Sequence, residues 1–490
     1  MGKSGILMHI TSLPNPYGIG TMGKCAYDFV DFLSAAGQSY WQILPLSPTG
    51  YGDSPYQALS TFAGNYYLID LDMLKQEGLI TQEEIEAVDW GSREDRVDFG
   101  KMYEHRTDLL KKAYDRFSDH DALDQFINAN SDWLADYALF MAIKNALGGR
   151  DWQNWSVSLL MRLPAVLESY RRELKEDIRF QSFLQYQFFR QWDKLRQYAN
   201  SKGIQIIGDV PIYVPLDSAD VWANPKNFLL DAGRRPQSVA GCPPDSFSAD
   251  GQRWGNPLYD WNAMKEDGFG WWICRLKAAA RMYDVVRLDH FRGFESYWAI
   301  PAKEETAING RWKKGPGMDF IQAVQSALPQ LSFIAEDLGF VTPEVRALQE
   351  KSGYPGMKVM QFAFDSREEG DYMPHNYTEN SVCYSGTHDN MPLKQWFEDA
   401  SQEDVQSAVD HLGLTAEEGY IKGMIRGCMA SVSKLCVVQL QDYLELGGEA
   451  RMNCPGVLSS ENWTWRATAD QITQTLAADI RNLTKQYGRI

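Results

Sequence analysis

The chain has 490 residues and a formal net charge of −17, with 44% hydrophobic and 23% charged residues. This length suits one large domain with insertions or two to three ordinary domains. The acidic excess repels phosphate backbones and anionic lipids, so it argues against nucleic acid or a membrane as partner and favours a neutral or cationic substrate. The sequence has no apolar stretch that could cross a bilayer and no signal region at its N-terminus, so we expect a cytoplasmic protein.

The cysteine and aromatic contents further limit the class of protein. Seven cysteines are scattered along the chain, and no two form a C-x-x-C pair. This arrangement indicates reduced thiols rather than a disulfide framework or a zinc knuckle. Aromatic residues make up 13% of the chain. Most belong in a core, but such an excess also suits a protein that stacks on sugar rings.

The chain begins with alternating strand and helix patterns. An apolar run precedes a helical pattern in which Phe29, Phe32 and Leu33 recur, and Gly37 is the expected stop. Helix formers then dominate from about residue 74 to residue 202, where we predict a helical insertion. Apolar strand patterns return after it. In all, eight short strands are predicted, at residues 6–10, 40–46, 204–212, 285–289, 333–337, 359–364, 382–385 and 435–440.

Strands that alternate with helices predict an α/β fold, a (β/α)₈ TIM barrel. We expect one catalytic domain over residues 1–490, with the helical insertion at about 74–202, a loop-rich insertion at about 213–265 and no C-terminal β-sandwich domain. An open doubly wound sheet is the alternative. It is disfavoured because no G-x-G-x-x-G motif follows any strand.

Two loops have the composition of a binding rim. Residues 48–56 are dense in Gly, Pro and Tyr and include Ser54 and Tyr56. This loop is either a connector or a sugar-binding rim. The long segment 241–257 reads as irregular, and loops of that length inside a compact domain are usually functional or disordered. Its aromatic residues Phe247 and Trp254 favour function.

Carboxylates end or follow four of the predicted strands. Asp209, Asp289, Glu336 and Asp389 all fall at carboxyl ends, the face where a barrel gathers its catalytic groups. Because side chains alternate along a strand, Arg287 shares a face with Asp289, and a nearby Arg keeps a carboxylate ionised. A single Arg–Asp pair of this kind could be a structural ion pair that caps a strand. Four strands ending in this way favour a catalytic site.

Two chemistries use such a cluster. Metal-assisted hydrolysis would take His290, His388 and the carboxylates as ligands. Barrel metallohydrolases commonly carry His-x-His after strand one, where this chain has only His9. Glycoside chemistry would use one carboxylate as nucleophile and a second, protonated one as general acid. The aromatic loops fit this second chemistry better, and nothing in the sequence identifies a cofactor or a metal.

Several motifs resemble those of the α-amylase clan. Three carry its carboxylates: RLDHF at 287–291, AEDLG at 335–339 and THDN at 387–390. The strand-three motif around Asp209 is similar but lacks the Asn-His that ends it in amylases. That departure, together with PPD at 243–245, GQRWGNP at 251–257, RMNCPG at 451–456 and NWTWR at 462–466, points to the amylomaltase family of 4-α-glucanotransferases, glycoside hydrolase family 77. The resemblance covers residues 7–466.

The resemblance implies roles for individual residues. Asp289 would be the nucleophile, Glu336 the acid/base, and Asp389 would hold sugar hydroxyls and stabilise the oxocarbenium-like state. The substrate would be an α-1,4-glucan, bound by Tyr56 stacked under the cleaved unit, Trp254 as an acceptor platform, and the side chains of Ser54, Asp209, Asp245, Gln252, Arg287, His290, His388 and Asn453.

The chemistry adds its own requirements. A retaining enzyme needs carboxyl groups only ~5–5.5 Å apart, which neighbouring barrel strands can supply, and an acid whose pKa is raised. Transfer and hydrolysis share the same glycosyl-enzyme, so the carboxylates alone do not choose between a transferase and an α-amylase-like hydrolase. A metal-dependent hydrolase and a non-catalytic glucan-binding protein are more distant alternatives. The oligomeric state is not indicated by the sequence.

Overall fold

The computed structural model describes residues 2–245, 248–367 and 372–490. Phe247, which the sequence assigns to a functional loop, lies outside these ranges. Twelve strands are present in them: β1 (Lys3–Leu7), β2 (Tyr40–Gln42), β3 (Gln205–Val210), β4 (Ser238–Cys242), β5 (Gln252–Pro257), β6 (Val285–Leu288), β7 (Ser296–Pro301), β8 (Arg311–Lys314), β9 (Ser332–Ala335), β10 (Gly356–Val359), β11 (Ser381–Tyr384) and β12 (Leu435–Gln439).

Eight of these strands form a closed barrel in the order β1-β12-β11-β10-β9-β6-β3-β2, and the paired strands run parallel. Strand β1 pairs with both β2 and β12, which closes the ring. The barrel strands are buried almost throughout, as expected for a parallel sheet covered by helices. The prediction of a (β/α)₈ barrel is confirmed.

Two predicted strands were misplaced. The first lies at Lys3–Leu7 rather than 6–10, and the sixth at Gly356–Val359 rather than 359–364. Residues Met360–Phe364 form a 3₁₀ turn instead. Both Met360 and Phe364 are buried in a second apolar core, which also includes side chains of β11 and β12. Because a buried turn and a buried strand are equally apolar, hydrophobicity alone does not separate them.

Helices surround the barrel. Their bounds are α1 (Lys24–Ala35), α2 (Leu71–Gln76), α3 (Gln82–Glu86), α4 (Phe99–Arg116), α5 (His120–Ala129), α6 (Leu134–Ala146), α7 (Val157–Leu160), α8 (Pro164–Glu173), α9 (Lys175–Ser201), α10 (Ala219–Ala223), α11 (Trp261–Glu266), α12 (Gly270–Met282), α13 (Gly317–Ala327), α14 (Pro343–Ser352), α15 (Leu393–Asp399), α16 (Gln402–Leu412), α17 (Tyr420–Ala430), α18 (Leu440–Tyr443) and α19 (Gln474–Gln486).

The helix boundaries follow local sequence signals. Helix α1 ends just before Gly37, whose φ of 69° is the left-handed conformation that commonly ends a helix. Helix α3 begins with a capping box between Thr81 and Glu84. Helices α2 to α9 fill the segment between β2 and β3, where the sequence predicts a helical insertion. Within the described ranges, no helix is both long and apolar enough to cross a membrane.

A second sheet stands beside the barrel. Its four antiparallel strands have the order β5-β4-β7-β8. Strands β4 and β5 occupy most of residues 238–257, a stretch that was predicted to be irregular, so that prediction was wrong. Its glycine and proline residues obscure the strand pattern. The sheet is completed by β7 and β8, which belong to the connection after β6. This sheet therefore joins two separate loops above the same side of the barrel.

Candidate active site

The carboxyl ends of neighbouring barrel strands bring the acidic residues together. Asp289 and Glu336 directly follow β6 and β9, and their backbone N–H groups extend the barrel pairing: Asp289 donates to the Val210 carbonyl at 3.1 Å, and Glu336 donates to the Leu288 carbonyl at 3.0 Å. Asp389 follows β11 on the same face. The backbone thus fixes where these carboxylates emerge, before any side chain contact is made.

Arg287 joins two carboxylates below the open face. Its Nη1 donates to Asp209 at 2.9 and 2.7 Å and to Oδ1 of Asp289 at 3.0 Å. The side chain of Asp209 is only 1% exposed, whereas that of Asp289 is 25% exposed. Asp209 therefore holds Arg287 in place from below, while Asp289 is open to the site. Direct contact of Asp209 with substrate stays a prediction.

The Glu336 carboxylate is held by two backbone N–H groups. Oε2 accepts from His290 at 2.7 Å and Oε1 from Leu338 at 3.0 Å. His290 has a φ of 49°, the left-handed conformation, which is costly for a residue with a side chain and is concentrated at functional sites. This backbone turn aims the N–H of the residue after Asp289 at the carboxylate of Glu336. The pairing of β6 with β9 makes the two acids neighbours, and this bond orients the Glu336 carboxylate.

Burial raises the pKa of both the Asp289 and the Glu336 carboxyl groups, because the charged forms lose solvation. Asp209 and Asp389 raise the pKa of Asp289 further, while Arg287 lowers it. Arg287 also lowers the pKa of Glu336, and the N–H groups of His290 and Leu338 lower it further. The two carboxyl groups therefore share one charged environment.

Asp389 is oriented from two directions. Asn453 Nδ2 donates to its Oδ1 at 2.7 Å, and Nε2 of His388 lies 3.4 Å from the same oxygen. Arg451 donates to the Asp389 backbone carbonyl at 2.8 Å. The segment containing Asn453 and Arg451 therefore closes over the loop after β11. Asn453 was predicted as a site residue; Arg451 was not.

Tyr56 packs against His388 with its ring centroid 4.9 Å away and an interplanar angle of 16°. Its hydroxyl donates to Oδ2 of Asp209 at 2.8 Å. Burial raises the pKa of the Tyr56 hydroxyl well above its usual value, so it remains a donor. Ser54 Oγ accepts from the Tyr56 backbone N–H at 3.2 Å and stabilises the turn that places this ring. The loop is a built part of the site rather than a plain connector.

Two histidines below Tyr56 are neutral. Burial lowers the pKa of His388, and burial together with His388 lowers the pKa of His9 to about 3. Nδ1 of His9 accepts from the Leu44 backbone N–H at 3.2 Å, which places the proton of the neutral ring on Nε2. His9 and His388 line the same small cavity. From the sequence, His9 was weighed only as a possible metal ligand.

Trp254 stands on the opposite side of the site. Its ring meets His290 edge-on at 4.9 Å, and its Nε1 donates to Gln252 Oε1 at 3.1 Å. Gln252 thereby orients Trp254. The exposed Asp245 accepts from the Ser248 backbone N–H at 2.7 Å in the loop before β5. Burial lowers the pKa of His290 to about 3, and its buried Nε2 has no hydrogen-bond partner among the described residues.

Trp463 is a part of the site that the sequence analysis did not assign. Its ring lies 5.9 Å from Tyr56 and 6.0 Å from His388. In the sequence it stands out only as a member of the NWTWR motif. Its left-handed backbone conformation, with a φ of 69°, could not be predicted from the sequence. Within residues 2–245, 248–367 and 372–490, no group of three or more His, Cys, Asp or Glu side chains is arranged to hold a metal ion.

Comparisons with known proteins agree with this geometry. The 4-alpha-glucanotransferase family profile matches residues 8–472. A 4-alpha-glucanotransferase from Clostridium butyricum is 47% identical over 486 residues, which are 98% of this chain and 100% of the relative. A chloroplastic/amyloplastic relative from Solanum tuberosum is 42% identical over 100% of this chain and 86% of its own. The amylomaltase from Streptococcus agalactiae, solved in complex with acarbose, has a TM-score of 0.97 and 41% identity, with 100% of both chains covered.

Proposed function

Because this chain belongs to the 4-alpha-glucanotransferase family, we propose that it moves segments of α-1,4-glucan from a donor maltodextrin to the 4-hydroxyl of an acceptor glucan or glucose. The reaction is a retaining double displacement. The observation that carries the mechanism is the bond from the His290 N–H to Glu336 at 2.7 Å, which keeps the acid beside Asp289, whose side chain is 25% exposed. Asp289 is the nucleophile and Glu336 the acid/base.

In the first step, a carboxylate oxygen of Asp289 bonds to the anomeric carbon as the bond from that carbon to the glycosidic oxygen breaks. The proton of Glu336 passes to the leaving oxygen, which becomes the 4-hydroxyl of the departing glucan. The products are a glycosyl-enzyme ester at Asp289 and an ionised Glu336. Two backbone N–H groups already hold Glu336, so its negative charge is stabilised as it forms.

In the second step, Glu336 takes the proton from the 4-hydroxyl of the acceptor, whose oxygen then attacks the anomeric carbon. The ester bond to Asp289 breaks and the configuration is retained. The acceptor replaces the departed glucan on the same side of the site, and both carboxyl groups return to their starting protonation states.

The neighbouring residues stabilise the transition state, in which the sugar ring carries positive charge. Asp389, held by Asn453 at 2.7 Å, presents its carboxylate to the ring hydroxyls and stabilises that charge. The unpaired Nε2 of buried His290 is a suitable donor or acceptor for a sugar hydroxyl. Tyr56, fixed against His388, supplies the flat face under the cleaved unit.

Transfer requires that a sugar reach the glycosyl-enzyme before water does. Trp254 stands against His290, next to both acids, and its ring is held by Gln252. A large aromatic face at this position favours a sugar ring over bulk water. This arrangement supports transferase over hydrolase chemistry.

Incubation with maltotriose tests the function directly. We expect glucose together with maltodextrins longer than the substrate. Shortened products alone would identify an α-amylase-like hydrolase instead, and unchanged maltotriose would identify a glucan-binding protein. Loss of activity on treatment with a chelator would contradict a mechanism carried by Asp289 and Glu336 alone.

Three further assignments belong to the same proposal. Residues 1–490 act as one catalytic domain, with insertions at about 74–202 and 213–265. The protein is cytoplasmic, as the seven scattered cysteines favour. Its partners are α-1,4-glucans rather than nucleic acid or membranes, as the net charge of −17 favours. Cell fractionation checks the location.

A further inference from the structure

Two exposed aromatic rings lie beyond the acid/base. Trp312 in β8 is 38% exposed and Phe340, in the loop after β9, is 59% exposed. Their centroids are 6.1 Å apart with an interplanar angle of 18°. Large aromatic side chains exposed together in this way are the surface feature that marks a ligand-binding or interaction site. We call this pair the outer platform.

Arg292 lies beneath the outer platform. Its guanidinium carbon is 3.9 Å from the centroid of Trp312 and 5.8 Å from that of Phe340. The buried Arg292 guanidinium therefore covers part of the two rings. The 38% of Trp312 and the 59% of Phe340 that remain exposed are the part of the pair that a ligand can reach.

The platform is rigidly built. Arg292 is 3% exposed, donates to Ser296 Oγ at 2.8 Å and also donates to the Phe340 carbonyl. Trp298 pairs with Trp312 across β7 and β8, and their rings meet edge-on at 5.1 Å. The Trp312 ring and the backbone of Phe340 are thus held in place before any ligand arrives, so little entropy of the Trp312 side chain is lost on binding.

The same segments hold the acid/base. Arg292 lies two residues after His290, whose N–H donates to Glu336, and Phe340 lies two residues after Leu338, whose N–H donates to the other oxygen of Glu336. The outer platform is therefore anchored to Glu336 from both sides. The residues around Asp389 and Tyr56 come from other strands and loops. Since Glu336 protonates the leaving oxygen, the platform belongs to the side of the leaving and accepting glucan.

We propose that Trp312 and Phe340 form a distal binding site for the acceptor-side glucan chain, which stacks its sugar faces on the two rings several units beyond the cleaved bond. This inference rests on the proposed function and extends it: the platform selects long α-glucans as acceptors. A short acceptor such as glucose ends before reaching it. A neutral polysaccharide with apolar ring faces suits two exposed aromatic rings carried by the segments that hold Glu336.

Acceptor competition tests the platform. Maltotriose is the donor, and glucose and maltoheptaose, each isotopically labelled, are the acceptors, so that only products built on the labelled acceptor are counted. The measured quantity is the ratio of kcat/KM for maltoheptaose to kcat/KM for glucose. We expect Phe340→Ala and Trp312→Ala each to lower this ratio, and the double variant to lower it about tenfold. Trp312→Phe keeps a ring over Arg292 and should retain most of the native ratio.

The matched control is Tyr420→Ala. Tyr420 is 39% exposed and packs on Phe397 at 5.7 Å, on α17 outside the barrel. Its loss should leave the ratio unchanged. An unchanged ratio in the double platform variant, or an equal loss with both acceptors in Phe340→Ala, would overturn the inference.

Calorimetry separates failure of this inference from failure of the proposed function. The proposed function is contradicted if the native protein, given maltotriose, forms no maltodextrin longer than maltotriose. The platform is then judged by maltoheptaose binding in a Glu336→Gln background, with and without Trp312→Ala and Phe340→Ala. A Kd about tenfold weaker without the rings supports it, and equal Kd values refute it.

Discussion

The backbone N–H of His290 donates to the carboxylate of Glu336 at 2.7 Å, so the residue next to Asp289 along the chain also positions Glu336 in space. The left-handed conformation of His290 makes this bond possible. The Glu336 carboxylate is therefore fixed against the backbone that follows Asp289. Retaining glycoside chemistry needs its two carboxyl groups held close to each other.

Replacing Asp289 with Asn should lower kcat by at least about 10⁴-fold, because no carboxylate remains to form the glycosyl-enzyme. The fold should persist, since Arg287 keeps its bonds to Asp209. Initial rates of glucose release from maltotriose and circular dichroism spectra provide the measurements. Asp404→Asn on the surface helix α16 is the control and should be fully active. Substantial turnover by Asp289→Asn would contradict the assignment of the nucleophile.

The pH–rate profile should fall on both sides. Glu336 must be protonated in the first step, and burial raises its pKa, so activity is lost as the pH rises through that pKa. Asp289 must be ionised, so activity is also lost as the pH falls through its own pKa, which burial raises. The comparison is Glu336→Gln with an α-maltosyl fluoride donor, whose fluoride leaves without a proton. Formation of the glycosyl-enzyme by this variant should lack the basic limb; a retained basic limb would assign it to another group.

Tyr56→Phe removes the bond to Asp209 and keeps the stacking on His388. We expect kcat/KM to fall about tenfold to a hundredfold, the worth of one hydrogen bond to a charged group. Tyr56→Ala also removes the flat face under the cleaved unit and should be clearly worse. Steady-state kinetics with maltotriose measures both. Equal activity of the two variants would show that the ring itself contributes nothing.

Arg489, the penultimate residue, should matter for stability and not for catalysis. It is 3% exposed and donates to the backbone carbonyls of Met429, Lys3, Ser433 and Ser431. Arg489→Ala leaves these buried carbonyls without their donor, so the free energy of unfolding should fall by about 3 kcal/mol. Urea denaturation followed by tryptophan fluorescence measures the change.

The control for that experiment is Arg93→Ala. Arg93 forms an ion pair with Asp95 on the surface, where its side chain is 59% exposed. Exposed ion pairs contribute little to stability, so this variant should unfold like the native protein. A loss in Arg489→Ala no larger than in Arg93→Ala would show that the C-terminal segment is not anchored by its guanidinium.

The barrel was predictable because each of its strands is a short, buried and mostly β-branched or apolar run, as at β6 and β12. The second sheet was not. Strand β8 is exposed at every position and reads Arg-Trp-Lys-Lys, which has no burial pattern of its own. It becomes a strand only by pairing with β7, a contact that sequence periodicity does not encode.

The site was predictable where the residue type and its position at a strand end together indicate a catalytic role, as for Asp289 and Glu336. The burial of Asp209 was not predictable: it lies inside β3 opposite Arg287, not after the strand, and it is covered by Tyr56 and Arg287. Trp463 and Arg451 escaped assignment because their contacts with Tyr56 and Asp389 connect distant parts of the chain.

The charges around Asp289 do not cancel. With Glu336 protonated, the carboxylates of Asp209, Asp289 and Asp389 share the positive charge of Arg287. A cavity with this surplus should discriminate between inhibitors by their ionisation: an amino-substituted sugar mimic should bind more tightly when its nitrogen is protonated than an uncharged analogue of the same shape. Because the side chains of Asp389 and Asp289 are 44% and 25% exposed, added salt should weaken that preference.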